Sequence, residues 1–316
     1  MRKLFLICAV LMAAMTVAPL TAMSRTENGK TAAVSGKNAE NYVSVMLSEN
    51  GKIEKMEERE YVIGALAAEM DISCREEALK AQAVACYTYM QYMKAQDNEK
   101  SFNGADVSDD SNVCQGYIDE NARREKWGEG FEENEKKAEK AVDAVLGKQI
   151  TYGGKPILAA YHAISSGATE DAETVWGKEY PYLKSVESAG DKLSADYSRT
   201  VILSLDDFLK CCSKLDGVKL AGDAENILGK QDVSENGYVK NLYLGSNKVS
   251  GESFRKAFGL NSCCFTVSYD GGHFTIRVLG SGHQVGMSQY GADYMAQQGF
   301  LWKEILMHYY TDVEII

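Results

Sequence analysis

Apolar residues recur at helical spacing in the first half of the chain and at strand spacing further on. From Glu57 to Met70, Val62, Ala65 and Leu66 fall on one helical stripe, and the next position on that stripe is Glu69. Ser73 and Glu76 then read as an S-x-x-E capping box. It opens a second helix with Leu79, Ala83, Cys86 and Met90 on its inner face. The stretch 101–114, "SFNGADVSDDSNVC", is rich in turn formers and reads as a loop. A third helix near Glu132 to Leu146 buries Ala138, Ala141, Val142 and Val145 and stops at Gly147.

Beyond Gly147 the period shortens. "KQITY" and "KPILAAYHAIS" are β-rich runs on either side of a Gly-Gly turn. A polar segment containing "DKLSADYSRT" follows, then a short helix at Asp206–Lys214 and two hairpin-like stretches, "NGYVKNLYLGSNKVSG" and "CCFTVSYDGGHFTIRVLG". "QYGADYMAQQG" is a helix ended by Gly299, and Trp302, Ile305, Leu306 and Tyr309 mark one more. The pattern predicts an α+β fold. A helical N-terminal part packs with a β-rich middle, with a substrate cleft between them, and the C-terminus is helical.

Composition narrows the function classes. The 316 residues are 45% hydrophobic and 25% charged, enough for a sizeable core, and the formal net charge of −11 argues against a general nucleic-acid binder. "MRK" followed by 20 uncharged residues, Leu4 to Met23, predicts an N-terminal membrane anchor over 1–23. At 1.5 Å per residue that run is roughly 30 Å, about the hydrocarbon thickness. A cleaved signal peptide with a secreted product is the alternative; either way the remainder is exported. Residues 24–50 read as a linker and 51–316 as the functional region, with 192–265 a candidate inserted subdomain. Seven cysteines lie outside the N-terminal run, an odd number. The doublets Cys211-Cys212 and Cys263-Cys264 are too tight for ordinary zinc-ligand spacing, and leave both a disulfide and buried free thiols open.

Glu69 is the first candidate for chemistry. A carboxyl moved into an apolar setting resists ionisation, holds its proton near neutral pH and can donate it to a leaving oxygen. The bland alternative is a side chain that snorkels to solvent or pairs with a cation. His162 and His283 sit on Gly/Ser-rich junctions, "YHAISSG" and "GSGHQVGMSQYG", whereas His273 reads as a surface residue and His308 as a core one. Ser165, Ser166 and Ser288 lie beside histidines, but G-x-S-x-G is missed by one residue in "GMSQYG". H-E-x-x-H and Cys/His clusters with ligand spacing are absent from the sequence, so neither metal nor cofactor is expected.

"YVIGALAAEMDISCREEALKAQAVACYTY", "CQGY", "YHAISSGATEDAETVWGKEYPYLKSV" and "SGHQVGMSQYGADYMAQQGFLWKEILMHYYTDVEI", in that order, resemble the blocks of the stage II sporulation protein D family, from about Lys52 to Ile316. That family also includes amidase enhancers of the cell wall. The resemblance implies a membrane-anchored lytic transglycosylase. It would cut peptidoglycan glycan strands during forespore engulfment, after an amidase has stripped them, alongside a membrane scaffold protein. The family's catalytic Glu falls on Glu69. His162, Ser165, Ser166, Glu170 and Trp176 would line a sugar groove, faced by His283, Ser288 and Gln289. Three departures stand out. Tyr87 occupies the place of a family Arg, Gln284 that of a Gly, and Val113 that of a His in a loop where some members bind zinc. Tyr87 therefore joins the candidate substrate-binding residues as the position most in question.

Overall fold

A computed structural model of the chain describes residues 41–96, 102–220 and 224–316. The expected anchor over 1–23, and most of the expected linker, lie outside the described residues. Among the described residues no helix is long and apolar enough to cross a membrane. The fold starts earlier than the linker assignment allowed. Strand β1 (Tyr42–Met46) turns Val43 and Val45 fully inward, a period-2 pattern too short to stand out in a polar stretch. It pairs antiparallel with β2 (Ile53–Glu57) and, further along the chain, parallel with β3 (Val107–Ser108).

Helix α1 (Glu58–Glu69) has Glu58 and Glu60 in its first turn, where the helix dipole favours acids. It buries Tyr61, Val62, Ala65 and Leu66 and ends at Glu69, because Met70 is already extended. The capping box expected at Ser73 does not form. Asp71 takes the Ser73 N–H at 2.8 Å, so α2 (Glu76–Lys94) starts only after Arg75, whose own N–H goes to Asp293. Its predicted stripe of Leu79, Ala83, Cys86 and Met90 is buried. So are Gln82 and Thr88, which makes α2 a central helix packed against α1 and the helices that follow. Asp119 caps α3 (Glu120–Trp127), and α4 (Phe131–Asp143) buries Ala138, Ala141 and Val142.

The Gly153-Gly154 turn, both residues at positive φ, joins β4 (Ile150–Tyr152) to β5 (Lys155–Pro156). Strand β6 (Tyr161–His162) is short, and the expected continuation of "KPILAAYHAIS" as one strand breaks at Ile157. Helix α5 (Ala172–Trp176) ends on Gly177 in the left-handed region. A second core follows. Strand β7 (Ser198–Ser204), α6 (Leu205–Cys212), β8 (Leu228–Val233), β9 (Val239–Leu244), β10 (Asn247–Ser250), α7 (Gly251–Phe258), β11 (Phe265–Asp270) and β12 (His273–Leu279) form two three-stranded sheets, ordered β10-β9-β8 and β11-β12-β7, with their helices. The subdomain boundary expected at 265 cuts through this unit. β12 pairs with β7 over seven residues, so its hydrophobic cluster runs on to Val278.

The chain then returns to the first core. Strand β13 (Met287–Ser288) pairs parallel with β6, which sets Ser288 beside His162 although they are far apart in sequence. Helices α8 (Gln289–Gln297) and α9 (Trp302–Tyr309) close the chain with β14 (Glu314–Ile315) on β4. His308 is half-buried at the surface, its Nε2 on the Glu187 carbonyl, and is not a core residue. Helices and small sheets mix along the chain, an α+β architecture.

Candidate active site

Glu69 stands at the junction of two clefts. One, of about 620 Å³, is lined by Glu69, Tyr89, Gln115, Tyr161, Trp176 and His283 among others. The other, of about 650 Å³, also has Glu69 in its lining, with Lys126, Trp127, Asn134 and Lys137. The last residue of α1 therefore borders two clefts, although its helix face is apolar.

Burial raises the Glu69 carboxyl above its ordinary value; the Gly116 N–H, then the Tyr161 hydroxyl and the positive charge of Lys126, oppose the shift. Its place at the C-terminal, negative end of the α1 dipole acts in the same direction as burial. The Gly116 N–H donates to Glu69 Oε1. A Cβ on residue 116 would sit 3.0 Å from that oxygen and 3.3 Å from the Ala68 Cβ, so "CQGY" needs its glycine for this approach. Gly64 provides the matching gap on α1, where a Cβ would collide with Tyr117 and the Ile118 carbonyl. Behind the carboxyl, Gln289 Nε2 donates to the Glu69 carbonyl at 3.0 Å and reaches Gln82 Oε1 at 3.4 Å.

The expected groove residues separate into groups. Trp176 and His283 line the cleft with Glu69, their rings 5.4 Å apart, and Trp176 is exposed. His162 lies behind His283 at 5.6 Å and is buried. Its Nδ1 faces the Val285 carbonyl at 3.1 Å, so Nδ1 carries the hydrogen and the buried Nε2 is an acceptor without a partner. Burial first, then the neighbouring His283, lowers His162 to about 3. Burial first, then Arg255, lowers His283 to about 4. Both rings are neutral at physiological pH and cannot act there as imidazolium acids.

The structure places the remaining expected groove residues on partners within the protein. Ser165 and Ser288 lie inside it. Both are fully buried, and both hydroxyls donate to the buried Asp191, as does the Ser165 N–H. Asp191 came from the polar-looking "DKLSADYSRT", where its burial left no signal. Ser166 is tied through its N–H to Gln284 Oε1 and through its hydroxyl to the Asn236 carbonyl. Glu170 is buried, its carboxylate on the Ser234 hydroxyl and its N–H on the Gln284 carbonyl at 2.7 Å. Gln289 holds backbone and Gln82 as described above. Tyr87 lies away from both clefts, its hydroxyl on Glu58 at 3.2 Å. Lys94 already pairs with that carboxylate at 2.7 Å, so loss of the family's Arg at this place leaves no uncompensated charge.

Gln284, the other departure, adopts φ +72°, where glycine is at ease. It offsets the strain with side-chain bonds to the Ser166 N–H at 2.8 Å and the Ile164 carbonyl at 3.1 Å. The cysteines among the described residues are free thiols, and no group of three or more His, Cys, Asp or Glu there could hold a metal ion. Tyr161, Gln115, Gly116 and Lys126 are the site residues that periodicity missed; "CQGY" holds Gln115 and Gly116, Tyr161 opens "YHAISSG", and nothing pointed to Lys126.

The fold and site thus define an α+β protein with a reluctantly ionised acid between two clefts. The family model described as SpoIID, stage II sporulation protein, matches residues 46–152, which include Glu69 and Gly116. The chain is 38% identical over 274 residues to stage II sporulation protein D of Bacillus amyloliquefaciens, covering 86% of this chain and 78% of that one. It is 35% identical, with the same coverage, to the Bacillus subtilis (strain 168) protein of that name. The amidase enhancer of Bacillus subtilis (strain 168) is 28% identical over 298 residues, 78% of this chain and 39% of that one. The chain belongs to the stage II sporulation protein D family.

Proposed function

We propose that this protein is a peptidoglycan lytic transglycosylase that cuts peptide-stripped glycan strands between N-acetylmuramic acid and N-acetylglucosamine during forespore engulfment. The observation that carries the reading is the place of Glu69: a carboxyl biased toward its protonated form, on a residue that borders both clefts, and the sole carboxylate among the described residues lining the first of them, of about 620 Å³. A strand lying across it puts one sugar in each cleft. Asp71, the nearest acid in sequence in the second cleft, is held below its usual range by the Ser73 N–H first and is committed to its own turn.

With one carboxyl, the substrate supplies the nucleophile. Glu69 donates its proton to the glycosidic oxygen as the C1–O bond breaks. The carboxylate left behind, stabilised by the Gly116 N–H, takes the proton of the muramyl C6 hydroxyl as O6 bonds to C1. The products are a 1,6-anhydro end and a free hydroxyl, and no water is consumed. A paired-carboxylate hydrolase would instead activate water or form a glycosyl-enzyme. Trp176, exposed against His283, offers an aromatic face for a sugar ring.

In this reading the N-terminal segment anchors the protein in the cell membrane with the folded region outside, a cleaved signal giving a secreted form being the alternative. A sporulation amidase and a membrane scaffold protein are its expected partners. Digestion of peptide-free glycan strands, read by mass spectrometry, tests the chemistry: wild type yields 1,6-anhydromuramyl ends and Glu69→Gln does not. Absence of those ends from wild type, or equal activity in Glu69→Gln, overturns it. The likeness to an amidase enhancer supports a second reading, a non-catalytic wall-binding protein that activates an amidase. Amidase stimulation and glycan pull-down that both survive Glu69→Gln, with no anhydro ends from wild type, would favour it.

A further inference from the structure

We infer that Lys178, the one cation lining the first cleft among the described residues, holds the lactyl carboxylate of a peptide-stripped muramyl residue and so seats that sugar beside Trp176. The inference rests on the glycan reading above and adds to it a specificity-determining residue.

The turn after α5 places the lysine. Gly177 ends that helix in the left-handed region, at φ +68°, and the alternate residues Trp176, Lys178 and Tyr180 all line the cleft that Glu69 borders. The Lys178 ammonium lies over the Tyr180 ring, 4.8 Å from its centre. That ring is itself fixed. It stands edge-on to Trp176 at 6.2 Å and against the buried Tyr182 at 5.8 Å, whose hydroxyl accepts the Leu158 N–H at 3.1 Å. A ring covers one side of an ammonium and leaves its other hydrogens to an acceptor. The neighbouring acid, Glu179, pairs with Lys184 at 3.1 Å, and among the described residues Lys178 has no ion-pair partner of its own.

Charge balance decides between the two clefts. Glu69 is the sole acid lining the first among the described residues, and burial biases it toward its neutral form, so Lys178 sets the charge there. The second cleft holds two lysines, but Asp71 and Glu133 line it as well. Its ammoniums are also engaged on backbone carbonyls, Lys126 on Ala67 at 2.6 Å, and Lys137 on Ile72 at 2.5 Å and Cys74 at 2.8 Å. An anionic sugar is therefore favoured in the first cleft. The two sugars of a stripped strand differ in this respect. Hydrolysis of the amide that joins a stem peptide to muramic acid leaves a lactyl carboxylate, whereas N-acetylglucosamine is uncharged. A muramyl residue that keeps its peptide presents a neutral amide at the same place. Lys178 thus reads both which sugar is seated and whether its peptide has been removed.

Two preparations of peptide-free strands test it, one with its lactyl carboxylates free and one with them coupled to methylamine as neutral amides. Anhydro-end formation gives kcat/KM, and calorimetry on the Glu69→Gln protein gives Kd without cleavage. Wild type is expected to prefer the carboxylate strand in kcat/KM by about two- to fivefold, the range of an exposed ion pair, and Glu69→Gln to show the same preference in Kd. Lys178→Met abolishes the preference in both readouts by weakening the carboxylate strand alone, and Lys178→Arg retains it. Lys178 is exposed, so its replacement leaves the fold intact. A preference that survives Lys178→Met, or that is lost in Lys126→Met or Lys137→Met instead, overturns the inference, as does equal binding of the two strands. Wild type that makes no anhydro ends sinks the cleavage reading, and the Kd preference still decides the role of Lys178.

Discussion

The two hydrophobic cores of this protein follow opposite rules. The second, from Phe208 to Val278, is built of phenylalanines and aliphatic residues: Phe208 stacks on Phe274 at 3.8 Å, and Phe254 stacks on Phe258 at 4.0 Å and Phe265 at 5.0 Å. Among the described residues, the only buried polar side chain between 198 and 279 is Ser262. The first core surrounds the candidate site and buries Gln82, Gln115, His162, Glu170, Asp191 and Gln284. Burying such groups costs free energy unless each finds partners, and a satisfied polar network in turn fixes positions and proton directions that an apolar core cannot. Packing density is the second region's contribution; orientation of one carboxyl is the first region's.

The largest expected effect separates the two. Glu69→Gln removes the transferable proton and is expected to cut anhydro-end formation by about 10²–10⁴-fold, the usual range for a general acid, with the folded structure retained. Phe274→Ala does the reverse. Removing a fully buried ring from the aromatic stack is expected to cost about 3–5 kcal/mol, read by denaturant unfolding. Activity per folded molecule should not change. A fall in that specific activity would bring the second core into the catalytic machinery and break the comparison.

The same division explains what the sequence disclosed. Helix stripes and Gly-Gly hairpins are local, so α1, α2, the β4–β5 turn and the β11–β12 hairpin are legible, and Glu69 shows itself as an acid on an apolar stripe. The second core was legible as strands but not in extent, because the β7–β12 pairing joins residues about 75 apart. The site's polar residues depend on contacts of that kind. Asp191 reads as a surface acid until Ser165 and Ser288 are brought to it by the β6–β13 pairing. Gln115 has no pattern of its own; its contacts exist only once Cys86 and Tyr161 surround it. The partner of Tyr87 was hidden for the same reason, since Glu58 lies on another helix.

A smaller effect sharpens how finely the first region is tuned. Gly116→Ala places a methyl 3.0 Å from Glu69 Oε1 and 3.3 Å from Ala68, tight enough that the loop must yield by a few tenths of an ångström. Activity is expected to fall roughly tenfold, about 1.4 kcal/mol of transition-state stabilisation, while stability falls by no more than about 1 kcal/mol. Equal activity in glycine and alanine proteins would mean that the Gly116 N–H does not position the carboxyl.

The smallest effect asks whether orienting Glu69 costs stability at all. Burial, its largest influence, raises its pKa in the folded chain above the unfolded value of 4.5, so the folded state holds the proton more tightly. For a carboxyl shifted upward, that contribution to stability is full below the unfolded pKa and is lost as pH rises through the folded one. Above the folded pKa the wild type has lost it, whereas Glu69→Gln has no proton to lose. The glutamine variant is therefore expected to gain in stability relative to wild type as pH rises, in line with other substitutions that relieve a strained functional site. The gap should narrow as pH falls to 4. Urea unfolding of both proteins across that range decides it: a gap that does not change with pH would place the cost in packing rather than in the proton, and the first core would then obey the same rule as the second.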